Sequence, residues 1–324
     1  MNAVRVIQPG MMTTVQDLGR PGQSRLGVAR GGAADALSLR LGNRLVGNAD
    51  GAAGLEMTVL GGEFEFERAA VVAVTGGVAE VEVTRSGGSG GGERRAPWAG
   101  AFAVRSGDRV RVGPVRRGVR AYVCVAGGLE AAVCMGSRST SIAGGFGGLQ
   151  GRSLRVGDVL AIGDDVGVAR AEGELAAAIL ERALFGNVLR ACALEASGVD
   201  PKVILWVWSM TFLVESNSDR MGVRLRGAGV ESGASLEASG RMISEGMMHG
   251  AVQMPQSGMP IVLGVEHPTT GGYPVVACVA TVDLPALGQC GPGRAIRFAK
   301  VDHATARGEL AEFEARLNAE VPGR

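Results

Sequence analysis

Gly107-Asp-Arg-Val-Arg-Val112 writes a turn and a strand in six residues. Glycine followed by aspartate supplies the positive φ of a tight corner, and the alternation behind it turns valines to one side and arginines to the other. The device returns at Gly157-Asp-Val-Leu-Ala-Ile162 and, with arginine after the glycine, at Gly293-Arg-Ala-Ile-Arg-Phe298. Elsewhere the apolar period stays at two, as in Glu63-Phe-Glu-Phe-Glu67, Ala70-Val-Val-Ala-Val-Thr75, Ala79-Glu-Val-Glu-Val-Thr84 and Val119-Arg-Ala-Tyr-Val-Cys-Val125. Short alternating strands joined by tight turns belong to barrels and sandwiches rather than to alternating strand–helix folds. The expected class is mainly β.

Three segments break the period and read as helices. Residues 35–46 open with an acidic cap, carry Leu37, Leu41 and Leu45 at helical spacing and stop before Gly47-Asn48. Residues 169–196 are rich in alanine, leucine and glutamate, and residues 304–320 form a polar amphipathic helix. The expected organisation is a β-rich part over 1–165, a helical connection over 166–200, a second β-rich part over 201–303, and a helix and tail over 304–324.

Of the 324 residues, 46% are hydrophobic and 20% charged, which supplies a sizeable core and excludes wholesale disorder. The 33 basic and 32 acidic groups leave a formal net charge of +1, against a generic nucleic-acid binder. Aromatic residues, at 4%, are too few for stacking platforms on single strands. The cysteines (Cys124, Cys134, Cys192, Cys278, Cys290) show no Cys-x-x-Cys pair and no histidine at ligand spacing, so reduced thiols and no metal site are expected. The N-terminus lacks the apolar stretch of a secretion signal, and no run reaches about 18 apolar residues. A cytoplasmic chain without membrane contact is the expectation.

Ser86-Gly-Gly-Ser-Gly-Gly-Gly92 invites comparison with a phosphate loop, but such a loop ends in Gly-Lys-Ser or Gly-Lys-Thr, and here Glu93-Arg94-Arg95 follows. An amidase glycine–serine loop needs a lysine nearby, and lysine occurs only at Lys202 and Lys300. The run reads as a flexible hairpin tip. No lysine sits between methionines as biotin attachment requires. If ATP or biotin takes part, the familiar devices that bind them lie on other chains.

A colinear string of motifs runs through the chain. It begins with Pro9-Gly-Met-Met-Thr-Thr-Val-Gln-Asp-Leu-Gly-Arg-Pro-Gly22, Gly27-Val28, Ala34-Asp35 and Asn43-Arg-Leu-Val-Gly-Asn48. Ala126-Gly-Gly128, Gly136-Ser-Arg-Ser-Thr140 and Gly144-Gly-Phe-Gly-Gly148 follow, then Ser218-Asp-Arg-Met-Gly222, Ser244-Glu-Gly246, Thr269-Thr-Gly-Gly-Tyr-Pro274 and Asp283-Leu-Pro285. The string resembles the biotin-dependent carboxyltransferase-like family, whose members include KipA, the second subunit of allophanate hydrolase and the C subunit of 5-oxoprolinase (PxpC). One stretch departs from it: between Leu189 and Trp208, where such proteins usually carry a strand with a Gly-Pro pair, this chain has Cys192 and Val203-Ile-Leu-Trp-Val-Trp208.

The resemblance implies a cyclophilin-like β-barrel architecture in two strand-rich parts. It also implies a cytosolic complex with a KipI-like protein as its B subunit and, for the oxoprolinase members, a LamB/YcsF-like protein as its A subunit. Together these cleave 5-oxo-L-proline to L-glutamate with ATP, whereas the related module of urea carboxylase moves a carboxyl group from carboxybiotin to urea. The leading expectation is the C subunit of a 5-oxoprolinase, a partial enzyme acting on a small lactam. The alternatives are a component of an allophanate hydrolase or urea-type carboxyltransferase, and a non-enzymatic KipA-like antagonist of a KipI-like kinase inhibitor.

Such reactions stabilise charge on an amide-type oxygen, work suited to arginine forks and to backbone N–H groups that glycine leaves open. Glu266-His-Pro-Thr-Thr-Gly-Gly-Tyr-Pro274 is the densest cluster of this kind. His267 is its candidate acid or base, and Thr269, Thr270, Gly271, Gly272 and Tyr273 are candidate substrate contacts, against a plain strand-to-loop corner. Gln16-Asp-Leu-Gly-Arg20 offers Asp17 and Arg20 as further catalytic candidates and Gln16 as a contact, unless carboxylate and guanidinium brace the loop. Asp219 and Arg220 admit the same two readings. Arg138, before the glycines at 144–148, could complete an anion-receiving nest, or the segment covers one end of a barrel. Glu245 could line the cleft with Ser244; Glu245 and His249, four apart, lack a third metal ligand.

Overall fold

The computed structural model describes residues 2–86, 92–165, 167, 169–194, 199–227 and 243–323. Two compact units interleave in sequence: Met1–Arg20, Gly31–Arg182 and Arg316–Arg324 form one, Pro21–Arg30 and Ala183–Ala315 the other.

In the first unit two antiparallel sheets share a core. The seven-stranded sheet runs in the order Leu129–Glu130, Val159–Ile162, Ala3–Gln8, Glu63–Phe66, Arg109–Val112, Val81–Thr84, Glu93–Ala96. The five-stranded sheet runs Thr13–Gln16, Gly54–Thr58, Arg117–Val125, Ala70–Val78, Gly100–Val104. Period-two alternation sends Val4, Val6, Phe64, Phe66, Val81, Val83, Val110 and Val112 inward from one sheet, to meet Leu55, Met57, Val72, Val74, Ala121 and Val123 from the other. The opposite face of the seven-stranded sheet carries charge: Glu65 is in register with Arg109 and pairs with it at 2.8 Å. An exposed pair of this kind contributes at most about 1 kcal/mol, so the apolar face sets the register.

The glycine-led corners take the conformation expected of them, with φ of +83° at Gly107, +86° at Gly157 and +79° at Gly293. The aspartates do more than tolerate the turn. Asp108 accepts from Arg105 N at 2.9 Å and Asp158 from Arg155 N at 2.7 Å, so each closes its own corner.

A helix spans Ala36–Leu45, capped by Asp35, whose carboxylate accepts from Ser38 N at 3.0 Å. Leu37, Leu39, Leu41 and Leu45 are all buried, and the helix packs on the five-stranded sheet. Its Arg44, 3% exposed, pairs with Asp50 at 2.7 Å and donates to Val321 O at 2.7 Å, Leu317 O at 3.3 Å and Asn318 Oδ1 at 2.9 Å. That guanidinium therefore holds the segment Arg316–Arg324 to this unit.

In the second unit seven strands close into a barrel in the order Val188–Ala193, Val275–Val279, Ala251–Gln253, Ile261–Leu263, Gly222–Gly227, Phe212–Val214, Ala295–Val301. Closure is made by the parallel pairing of Val188–Ala193 with Ala295–Val301. Leu189, Val214, Leu225, Val252, Val262, Ala277, Ile296 and Phe298 fill the interior. The chain is thus mainly β in two strand-rich parts, with few helices and with His303–Glu320 as its C-terminal helix, as expected.

Two expectations need correction. The helix placed over 169–196 spans Gly173–Leu184, and Val188–Ala193 is a barrel strand, so 166–200 is not a helical connection. Leu189 and Ala191 are required inside the barrel, and this tertiary demand outweighs the helical propensity of the alanines. The departing stretch also contains a helix, Pro201–Ser209, with Asp200 accepting from Lys202 N at 2.8 Å and proline in the first turn. Of the proposed hairpin tip at 86–92, residues 87–91 lie outside the described residues; the flanking strands Val81–Thr84 and Glu93–Ala96 pair with each other. Among the described residues no helix is long and apolar enough to cross a membrane.

Candidate functional site

The candidate residues divide between the two units. In the first, Asp17 follows the strand Thr13–Gln16 and is 8% exposed. Its carboxylate accepts from Gly19 N at 2.7 Å, Ser137 Oγ at 2.7 Å, Arg138 N at 2.6 Å and Ser139 Oγ, and its own N–H donates to Ser139 Oγ at 3.0 Å. Arg20, 1% exposed, donates from Nε to Cys134 O at 3.4 Å and from Nη2 to Ser139 O, with its guanidinium 4.9 Å from the Phe146 ring centre. Gln16 is fully buried and donates to Thr14 Oγ1 at 3.0 Å and Thr140 O at 3.3 Å.

These contacts give Asp17 and Arg20 a framework task. They sew the strand end to the loop 134–148, a role neither expectation included, since both partners lie more than a hundred residues away in sequence. Glycine is obligatory where the loop closes: Gly147 has a φ of +70°, and a Cβ there would stand 2.1 Å from Ser139 O. The Arg138 side chain turns outward to Glu130 at 2.8 Å, while its backbone N–H serves Asp17.

In the second unit three connections meet at one end of the barrel. Gly250 N donates to Leu263 O at 2.8 Å, Gly264 N to Met221 O at 2.9 Å, Glu266 N to Arg220 O at 3.0 Å and His267 N to Gly264 O at 3.3 Å. Arg220, His249 and the pair Glu266–His267 are thereby gathered just beyond the strand ends at Gly222, Ala251 and Leu263. Arg220 Nε bonds Glu266 Oε1 at 3.1 Å, with both side chains about nine-tenths buried. Asp219 is exposed and closes its own turn, accepting from Met221 N at 2.8 Å and Gly222 N at 3.1 Å.

His267 is 5% exposed, and its Nδ1 lies 2.8 Å from Pro268 O. A carbonyl can only accept, so Nδ1 carries a proton and is the donor in this contact. The segment that follows joins Glu245: Glu245–Gly246 pairs with Thr270–Gly271, and Met247 N donates to Thr269 O at 2.9 Å. Two motifs read separately in the sequence are one two-stranded element. Behind it Gln253 Nε2 contacts Met247 Sδ at 3.2 Å, and a Cβ on Gly271 would stand 2.6 Å from that nitrogen. Thr269 and Gly272 are half-buried, and Thr270, Tyr273 and Glu245 are exposed.

Sequence reading missed Arg30 and Gln253 and considered His249 only as a metal ligand. Arg30 belongs to the segment Pro21–Arg30 that packs with this unit. Burial first, then the charges of His267, Arg30 and Arg220, push His249 down to about 3 from its ordinary 6.5. The unfolded chain takes up a proton near the ordinary value and the folded chain does not, so stability falls as pH drops below it. The loss reaches about 2 kcal/mol near pH 5. His249→Gln should flatten that slope, read as a smaller fall in the urea midpoint between neutral and mildly acidic pH. Equal falls in both proteins would contradict the assignment. Among the described residues no group of three or more His, Cys, Asp and Glu could hold a metal ion.

A family model described as "Carboxyltransferase domain, subdomain A and B" matches residues 26–300. The chain is 35% identical to the C subunit of 5-oxoprolinase from Escherichia coli (strain K12) over 297 residues, which cover 91% of this chain and 90% of that protein. It is 30% identical to urea amidolyase of Lachancea kluyveri over 337 residues, 94% of this chain but 17% of the relative. Among solved structures, the Kluyveromyces lactis urea carboxylase matches with a TM-score of 0.85 at 29% identity, over 99% of this chain and 29% of its own.

Proposed function

Because the chain belongs to the carboxyltransferase domain family, subdomains A and B, we propose that it is the C subunit of an ATP-dependent 5-oxoprolinase, which opens 5-oxo-L-proline to L-glutamate. The observation that carries this reading is its 35% identity to the C subunit of a 5-oxoprolinase along about nine-tenths of both chains. The partners are a KipI-like B subunit and a LamB/YcsF-like A subunit. ATP is a substrate of the assembly, and no step involving it is assigned to this chain.

The second unit's polar cluster suits such a substrate. The lactam is an anion, and Arg30 and Arg220 place positive charge around the uncharged His249. In the lactam, negative charge develops on the amide oxygen as the ring opens, where donors from the Thr269–Tyr273 segment could receive it. Gln16, Asp17, Arg20 and Arg138 support their unit rather than touch the substrate, while Glu245 and Thr270 line the exposed two-stranded element.

The deciding assay is glutamate formation from 5-oxo-L-proline by the reconstituted complex. Omitting this chain should reduce it to background; undiminished activity would overturn the proposal. Gly271→Ala should lower turnover by about tenfold with little change in melting temperature, because the added carbon displaces the two-stranded element and meets only the far end of the Gln253 side chain on the barrel side. Undiminished turnover, or a loss matched by unfolding, would remove that segment from the site.

A second reading, carboxyl transfer to urea or a related acyl-nitrogen compound, is favoured by the fold match to urea carboxylase. Urea is neutral, so the two readings part on charge. Arg30→Gln should raise KM for 5-oxo-L-proline and leave KM for a neutral amide unaltered.

A further inference from the structure

Cys192 and Cys278 stand directly opposite each other on the antiparallel strands Val188–Ala193 and Val275–Val279. Ladder bonds from Ala280 N to Arg190 O at 2.8 Å and from Leu194 N to Val276 O at 3.1 Å flank them two residues away on either side. The cysteines therefore occupy a hydrogen-bonded position, where α-carbons stand about 5.5 Å apart, inside the window of about 4.4–6.8 Å that a disulfide spans. Leu189, Ala191, Ala277 and Val279 face the barrel core, so alternation turns both sulfurs to its outer side. Both thiols are free. Burial, and then the neighbouring Cys192, push the Cys278 thiol up to about 11; burial and Asp302 raise Cys192 as well.

We propose that Cys192 and Cys278 form a dithiol modification site that closes to an intrachain disulfide on meeting a low-molecular-weight disulfide oxidant. Cys278, the more exposed of the two, attacks one sulfur of the oxidant as its thiolate and expels the other half as a thiolate. Cys192, on losing its proton, displaces the remaining half. One S–S bond breaks for each that forms, the protein gives up two electrons and two protons, and the oxidant departs as two thiols. Raised thiols make the step slow at neutral pH and faster in mild alkali. Closure would tie a barrel strand down beside the polar cluster, since Cys278 Sγ already lies 3.8 Å from His249 O.

The test uses the intact chain with oxidised glutathione in mild alkali, followed by mass spectrometry. The expected product has lost two hydrogen atoms and yields a linked peptide containing Cys192 and Cys278, with a melting temperature raised by roughly 5 °C. Dithiothreitol should reverse both changes. Cys192→Ser should leave a single glutathione on Cys278 and no linked peptide. Because the unsubstituted chain supplies the primary readout, a folding defect in that variant would not blur the result. A bridge involving Cys134, or stable glutathionylation of Cys278 with Cys192 still free, would overturn the proposal.

Discussion

Asp17→Ala should cost the first unit about 4 kcal/mol, because two backbone N–H groups and two hydroxyls lose one shared acceptor in a buried place. Gly19 N and Arg138 N are held in position by the backbone, whereas the hydroxyls of Ser137 and Ser139 can rotate. Asp17→Asn should lose about half as much, since one carboxamide oxygen still accepts but the amide opposes donors on its other side. Urea unfolding followed by circular dichroism separates the outcomes. A catalytic Asp17 would behave in the reverse way, with stability intact and turnover gone in the Asn variant. That pattern would end the framework assignment.

Arg220→Ala is the second large effect. Glu266 would remain about nine-tenths buried with its guanidinium partner removed, and stranding a buried carboxylate costs about 3 kcal/mol. The pair joins two connections at one barrel end, so the damage should reach His267, which follows Glu266 directly. Replacing both residues with apolar ones of similar volume, Arg220→Met with Glu266→Leu, should recover most of the stability. Recovery of stability without recovery of 5-oxo-L-proline turnover would place the charges in binding. A single Arg220→Ala variant as stable as the parent would show that the ion pair holds nothing in place.

The strands and the first helix were legible because their signals are local. Asp35 caps, Leu37, Leu41 and Leu45 repeat at helical spacing, and Gly107, Gly157 and Gly293 mark corners that their own φ angles require. The helix Pro201–Ser209 was harder to see, since valine, isoleucine and tryptophan favour strands and the Asp200-Pro201 cap is two residues against six. The break after Leu184 was lost in an alanine-rich stretch whose destination only the barrel decides.

The site was legible as residue types and illegible as partnerships. Asp17 was singled out for its carboxylate, yet its partners Ser137 and Ser139 lie 120 and 122 positions on. Glu245 and Gly271 were named separately, and nothing local announces that they are paired. The opposed cysteines come from strands 86 positions apart in numbering, so their meeting is a property of barrel register alone.

The order of synthesis gives the Arg44 clasp a further meaning. On the ribosome, the helix bearing Arg44 leaves the exit tunnel long before its acceptors at Leu317 and Val321, up to 277 positions later. Meanwhile every strand of the barrel has been made. The nascent first unit must wait, its guanidinium held by Asp50 alone, until the segment that carries those acceptors has followed the barrel out.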